Sequence, residues 1–226
     1  GHKRKSKIMA YYFLTASKDA SVYLQQPDQN AGLDEVLEVS KVYYGGVKDV
    51  SRALLKFDTN GFSSSLSAGS VGFEEAKLIL KETESEEVPL EFNINIYPVS
   101  QSWEMGKGTR FDKIETSGIT WNYREGDSSL RWVNNIVGGL PVFAANSTGS
   151  FAGKGGVWYS NLNSSQEFTY KTEDINADVT TIFQSWLSGS IDNEGLIIKH
   201  ENSSEEDTND YGILKFFSKE TNTIHQ

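Results

Sequence analysis

Cysteine is absent from the 226 residues, which excludes thiol catalysis, cysteine-held zinc and disulfide stapling. The compartment stays open, because a cysteine-free chain survives reducing and oxidising surroundings alike. Histidine is nearly absent too, with three residues. One of them, His2, follows Gly1 in what reads as a tag remnant. His200 and His225 form no His-x-x-x-His or His-Glu-x-x-His pattern, so transition-metal catalysis finds no ligand set. Only four prolines and 20 glycines argue against a collagenous or low-complexity chain. No apolar run approaches the roughly 18 residues that span a bilayer as a helix. Gly-x-Ser-x-Gly does not occur, and Gly106-Lys107-Gly108-Thr109 lacks the upstream glycine of a phosphate-binding loop.

Basic residues are scarce and unevenly placed. Lys3, Arg4, Lys5 and Lys7 fall in the first eight positions, and the remaining 17 basic residues against 31 acidic ones leave the body at −14. Such a body is a poor partner for nucleic acid, whose phosphates demand clustered Lys and Arg, and anionic membranes are disfavoured on the same ground. Residues 1–8 read as a tag remnant and linker, and Met9-Ala10-Tyr11-Tyr12 as a native start. Residues 9–226 read as a single domain.

What the chain does have is a succession of short apolar runs broken by Gly, Asn, Ser and Asp. Val36–Val39, Ala53–Phe57, Ala76–Leu80, Phe92–Tyr97, Gly195–Lys199 and Tyr211–Phe217 all read as strands. Phe92, Ile94 and Ile96 recur with a period of two, which puts them on one face and Asn93 and Asn95 in water. Strands separated by turn signals predict an all-β, antiparallel sandwich. One segment has the other period. Val179, Ile182, Phe183, Trp186 and Leu187 follow Asp178 and precede Gly189, which predicts one short α-helix near 178–188 with an N-terminal cap and a glycine stop. The acidic stretches Glu82–Glu87 and Glu201–Asp210 read as solvated hairpin tips, and Gly138–Asn163 as a long Gly-rich insertion loop of the kind that is usually functional or mobile.

The order of several motifs resembles the DNRLRE-type domains, jelly-roll sandwiches grouped in part with family-96 carbohydrate-binding modules. Ser51-Arg52-Ala53-Leu54-Leu55-Lys56-Phe57-Asp58 resembles that family's S-R-A-L-L-R-F-D strand. Trp103, Gly108 and Gly118-Ile119-Thr120-Trp121-Asn122 resemble its W…G…T-W-N element. Asp178-Val179-Thr180 through Gln184-Ser185-Trp186-Leu187-Ser188-Gly189 resembles its helix, and Asn193, Gly195–Lys199 and Phe217–Glu220 its closing strands. The family's final strand has no counterpart before Gln226, so either the native chain continues or an open sheet edge invites another chain. The opening Met9–Ala20 is similar to small virion structural proteins of tailed bacteriophages, in which such a domain stands alone.

These resemblances imply a non-catalytic particle component on the tail, baseplate or capsid exterior, contacting other virion proteins or its own copies. The alternative is a secreted or cell-surface module that binds a bacterial or algal polysaccharide; the two combine if a phage protein grips host glycans. Sugar binding needs flat aromatic faces beside polar donors. Trp103, Trp121 and Trp186 sit in motif elements and read as core. Arg131, Trp132, Trp158 and Tyr159 sit in polar or Gly-rich stretches and are the expected ligand or partner contacts. A structural calcium would fall to Asp34, Glu35 and Asp58, since hard cations take carboxylates and carbonyls on loops. Catalytic carboxylates cannot be singled out among 31 acids, because a glycosidase is defined by a pair about 5 Å or about 6.5–9.5 Å apart.

Overall fold

The computed structural model describes residues 11–85, 88–132, 144–145 and 153–222. Residues 1–10, 133–143 and 146–152 (half of the insertion loop among them), Glu86, Glu87 and the last four positions therefore lie outside it. In chain order the elements are β1 (Ala16–Tyr23), β2 (Val36–Tyr44), β3 (Val47–Phe57), α1 (Asn60–Ser67), β4 (Lys77–Leu80), β5 (Phe92–Pro98), β6 (Tyr123–Glu125), β7 (Leu130–Arg131), β8 (Ala144–Ala145), β9 (Trp158–Tyr159), β10 (Ser164–Phe168), β11 (Ile175–Asp178), α2 (Thr180–Leu187), β12 (Leu196–His200), α3 (Asn202–Glu206) and β13 (Gly212–Phe217). The pairings among these strands are antiparallel, and the fold is an all-β sandwich of jelly-roll-like character.

One layer runs β1-β3-β12-β5-β10. The hairpin β2–β3 turns on Gly45 and Gly46, both at positive φ, the conformation a two-residue hairpin loop requires. β2 stays beside β3 only from Ser40 to Tyr44. Its first half leaves with β13, and Leu37, Val39, Leu214 and Phe216 pack over Ala53, Leu55, Ile94, Ile96 and Ile198 in one core. The second layer continues from β13 to β4 through the Glu82–Phe216 bridge and the Thr83 N–H donating to the Lys215 carbonyl, and β4 pairs with β11. Glu82 is therefore a sheet residue and not part of a free tip. Gln166 on β10 joins the layers where they meet again, donating to the Asp174 carbonyl and accepting from the Asn176 N–H.

The expected helix is α2. Asp178 Oδ1 accepts the Thr180 N–H at 2.8 Å and Gly189 follows at φ +71°, while Val179 and Ile182 enter the core. Two further short helices, α1 and α3, correct the expectation of a single one. α1 has the sequence Asn-Gly-Phe-Ser-Ser-Ser-Leu-Ser and buries only Phe62, so no apolar stripe announces it.

A second core lies on the opposite face of the first layer. Leu54 and Ile197 point into it with Ala20, Val22, Val50, Val99, Trp103, Trp121, Trp132 and Trp158. The central strands β3 and β12 are thus buried on both faces, which is why Ala53-Leu54-Leu55 and Leu196-Ile197-Ile198 read as unbroken apolar runs. The covering layer is irregular chain between Val99 and Trp132, organised by Asn30. Its side chain donates to the Met105 and Ile119 carbonyls and accepts from the Gly32 and Gly108 N–H groups. Glycines let these loops cross closely: a Cβ on Gly126 would stand 1.6 Å from the Thr116 carbonyl oxygen. Gly126→Ala is accordingly expected to lower the urea midpoint at unchanged slope, a loss of about 1–3 kcal/mol.

Candidate functional site: a buried ionic cluster and an apolar rim

The four residues expected to meet a ligand do not gather into an exposed plate. Trp132 and Trp158 are 3 % and 2 % exposed. The Trp132 indole N–H donates to the Thr120 carbonyl, and Trp158 stacks on Tyr97 with ring centres 5.9 Å apart. Trp158 and Tyr159 form β9, where Tyr159 is half-buried opposite Ala144. Arg131 is exposed and lies over the Tyr123 ring, with its guanidinium donating to the Tyr123 hydroxyl at 2.9 Å. The expectation of outward tryptophans is corrected for a physical reason: the second face of a sheet with apolar side chains on both sides needs a lid, and these indoles supply it. Trp103 and Trp121 are core as expected, and Trp186 packs at the margin of the first core.

The calcium candidates are each committed to protein donors. Asp34 Oδ1 accepts the Arg110 N–H, Glu35 Oε1 the Asn222 amide, and Asp58 Oδ1 the Asn60 N–H. Among the described residues no three acidic or histidine side chains converge as a metal site would require.

What the structure does bring together is a set of charges inside the second core. Arg52 alternates with Val50 and Leu54 on β3, so its side chain is forced inward, and it is fully buried. Its guanidinium grips Glu205 of α3 with both edges, Nε to Oε1 at 3.0 Å and a terminal nitrogen to Oε2 at 2.5 Å. The other terminal nitrogen donates to the Gly155 carbonyl at 2.7 Å, and the plane lies over Trp121 at 4.6 Å. Lys199 on β12, 1 % exposed, sits 3.3 Å from Glu205 Oε2, donates to Asn202 Oδ1 and lies over the Trp158 ring. Asn95, cross-strand from Lys199, is buried here and does not face water as its alternation suggested.

Electrostatics follow from that geometry. Burial pushes Lys199 down to about 8 against the pull of Glu205. Burial alone would raise Glu205, but Arg52 and Lys199 outweigh it and hold its carboxyl below the usual range. The neighbouring acids complete a clasp. Glu206 pairs with Lys48, and Asp207 takes the fully buried Lys41 at 3.2 Å and the Tyr211 hydroxyl at 2.6 Å. The segment 201–210 is therefore ion-paired to the sheet through Glu205, Glu206 and Asp207, while Glu201, Ser203 and positions 208–210 face solvent as expected of a tip. The enclosed core of the arrangement, Arg52, Glu205 and Lys199, fixes loops in place.

A second polar seam lies where β2 leaves β3. Arg110 stacks on Tyr23 at 3.8 Å and pairs with the buried Glu38 at 2.8 Å, while Ser40 and Ser51 share a hydroxyl hydrogen bond. This seam ties the 105–116 loop to the 24–34 loop, with Gln29 donating to the Thr109 carbonyl and Gln26 to the Arg110 carbonyl. From the loops so tied Phe111 at 86 % exposure, Ile114 and Leu33 stand out, and from the β2–β3 hairpin Tyr44 at 85 % and Val47. Apart from Tyr44, which belongs to the aromatic pair Tyr43-Tyr44, the sequence reading did not single these out, and the signal available was the isolated apolar residue within a turn, as in Tyr44-Gly45-Gly46-Val47.

No protein-family model matches the chain. No curated protein matches it either. The functional reading therefore rests on the residues themselves. Among the described residues no helix is long and apolar enough to cross a membrane.

Proposed function

We propose that the chain is a non-catalytic structural protein of a tailed-bacteriophage particle, located on the tail, baseplate or capsid exterior, and that it works by protein–protein contact. The observation that carries this reading is the apolar rim. Tyr44 and Val47 project from a tight β-hairpin, and Phe111 and Ile114 from a loop that the Arg110–Glu38 pair ties down; preformed loops with exposed aromatics suit interfaces with neighbouring subunits. An acidic surface free of base- or phosphate-reading patterns agrees with it, as do the motif resemblances to free-standing virion domains. Glycan adhesion by the same protein is the second reading. It draws on a depression of about 360 Å³ lined by Lys18, Lys56, Phe57, Asp58, Asn60 and Asn193, which sets polar donors and acceptors around an aromatic ring.

The test is composition of purified particles. The chain is expected there in a fixed copy number by quantitative mass spectrometry, and a Tyr44→Ser/Phe111→Ser variant with an unchanged thermal midpoint is expected to be depleted about tenfold or more, as loss of central aromatic anchors implies. A freely secreted protein absent from particles overturns the reading, and saturable binding of that secreted form to polysaccharide puts the glycan reading in its place.

A further inference from the structure

Residues 11–15 are irregular, and ladder pairing starts at Ala16 opposite Phe57. Within this arm the aromatic side chains divide. Tyr12 meets Phe62 of α1 edge-on with ring centres 5.1 Å apart, and its hydroxyl lies so near Gly61 that a Cβ there would be 3.3 Å away. Phe62 in turn packs on Phe73 and Phe183, which stack on each other at 5.3 Å. Tyr12, itself 48 % exposed, thus rests in a shallow notch against Phe62, with Phe73 and Phe183 packed behind that ring. Tyr11 and Phe13 are stacked together at 6.3 Å and stand 78 % and 84 % exposed.

We infer that this arm is exchanged between copies of the chain, Tyr12 of one copy seating in the Phe62–Phe73–Phe183 notch of another. The inference rests on the assembly reading above and names one contact by which copies join. Three observations lead to it. The chain's own arm already makes the Tyr12–Phe62 contact, and an exchanged arm remakes what it gives up. A pivot exists where the arm meets the sheet: the β1–β3 register shifts between Ala16 and Lys18, and Ser17 at the shift is exposed. Such irregularities re-aim a strand without disturbing the ladder beyond them. Finally, Tyr11 and Phe13 lie in water when the arm folds back on its own body, so an approaching copy that covers them favours exchange over the closed form. The formal charge of −10 on each copy opposes the approach at low salt, so exchange increases as salt screens it.

The experiment puts p-benzoylphenylalanine at position 12, which keeps an aromatic ring in the notch, and mixes that protein with an equal amount of parent protein carrying heavy nitrogen. After irradiation, mass spectrometry identifies links from position 12 to peptides containing Phe62, Phe73 or Phe183. Random partnering of the two pools predicts that about half of these links join a light arm to a heavy notch, and more at 0.5 M than at 0.05 M salt. A Tyr11→Ser/Phe13→Ser background is expected to cut the mixed links at least about fivefold while leaving the light–light links in place. Links that remain wholly light–light at every salt and concentration overturn the exchange. If the chain is nonetheless found in particles, the exchange alone falls and the assembly reading stands; if it is absent from particles while mixed links form, the reverse holds.

Discussion

Glu205→Gln is expected to destabilise the protein by about 3–5 kcal/mol, the range for removing one partner of a buried ion pair. The same change at a surface pair would cost less than about 1 kcal/mol. The asymmetry inside the cluster sharpens the prediction. Arg52→Met leaves Glu205 with Lys199 at 3.3 Å, a neutral pair that keeps much of its attraction. Glu205→Gln leaves Arg52 and Lys199 facing each other in the second core with no anion between them, so it costs more. Lys199 alone has a way out, because it can give up its proton and Arg52 cannot. In the Glu205→Gln protein the lysine falls still further below the value of about 8 that burial already imposes. A lysine whose folded value is depressed leaves the unfolded chain holding more protons, so stability rises with pH through that window. The variant should therefore recover part of its loss between neutral and mildly alkaline pH. Urea denaturation of both single variants and of Arg52→Met/Glu205→Leu/Lys199→Met checks all of this. The triple variant, with apolar groups of similar volume, is expected to be near the parent or above it. Equal losses for the two single variants, with no pH recovery, would show that Glu205 acts through packing and not through charge.

The strand pattern was legible because burial is alternating or continuous in most of the sandwich. β2, β3, β4, β5, β12 and β13 all coincide with apolar runs, and α2 with its 3.6-residue stripe and its Asp178 and Gly189 punctuation. The candidate site was not legible, for two separate reasons. The first is charge. Glu205-Glu206-Asp207 has the composition of a solvated turn, and local sequence cannot reveal that Arg52, Lys48 and Lys41 come to it from more than 150 positions away. The second concerns the aromatics. Trp132 and Trp158 lie among polar and glycine neighbours, where a local reading puts them at the surface. A non-local clue was present, though. Leu54 and Ile197 interrupt what would otherwise be an alternating pattern on β3 and β12, so both faces of those strands had to be covered. Only large residues from the intervening loops were available to do it. Arg52 and Lys199, on the same face as those two residues, were then bound to be enclosed with them and to need an anion.

Asp19→Asn is expected to raise stability at pH 7 by about 2–3 kcal/mol and to leave it unchanged at pH 4. Asp19 is 2 % exposed on β1; Oδ2 accepts the Lys219 N–H at 2.6 Å, and Oδ1 has no partner among the described residues. Burial raises its carboxyl to about 6, against the opposing pull of the Lys219 N–H and charge. Between about 4 and 6 the folded chain holds this proton while the unfolded chain has lost it, so stability falls as pH rises through the window and stays low above it. His200 acts with the opposite sign. It is completely buried between Phe92 and Tyr211, neither ring nitrogen finds a partner among the described residues, and burial lowers it to about 3. The unfolded chain takes up this proton below about 6.5 and the folded chain does not, so stability falls as pH drops from there towards 3. Over pH 4–6 these two slopes oppose and offset each other, and the parent's curve is left to its other carboxyls, among them Glu38, Asp34 and Asp49, which burial also raises. Removing either group exposes the other. Relative to the parent, Asp19→Asn should lose about 1.4 kcal/mol per pH unit on acidification through this range, whereas His200→Phe should gain on the same descent. Urea midpoints at half-unit intervals from pH 4 to 7.5 read both slopes. Curves for the two variants that run parallel to the parent would mean that neither side chain carries its proton difference into unfolding.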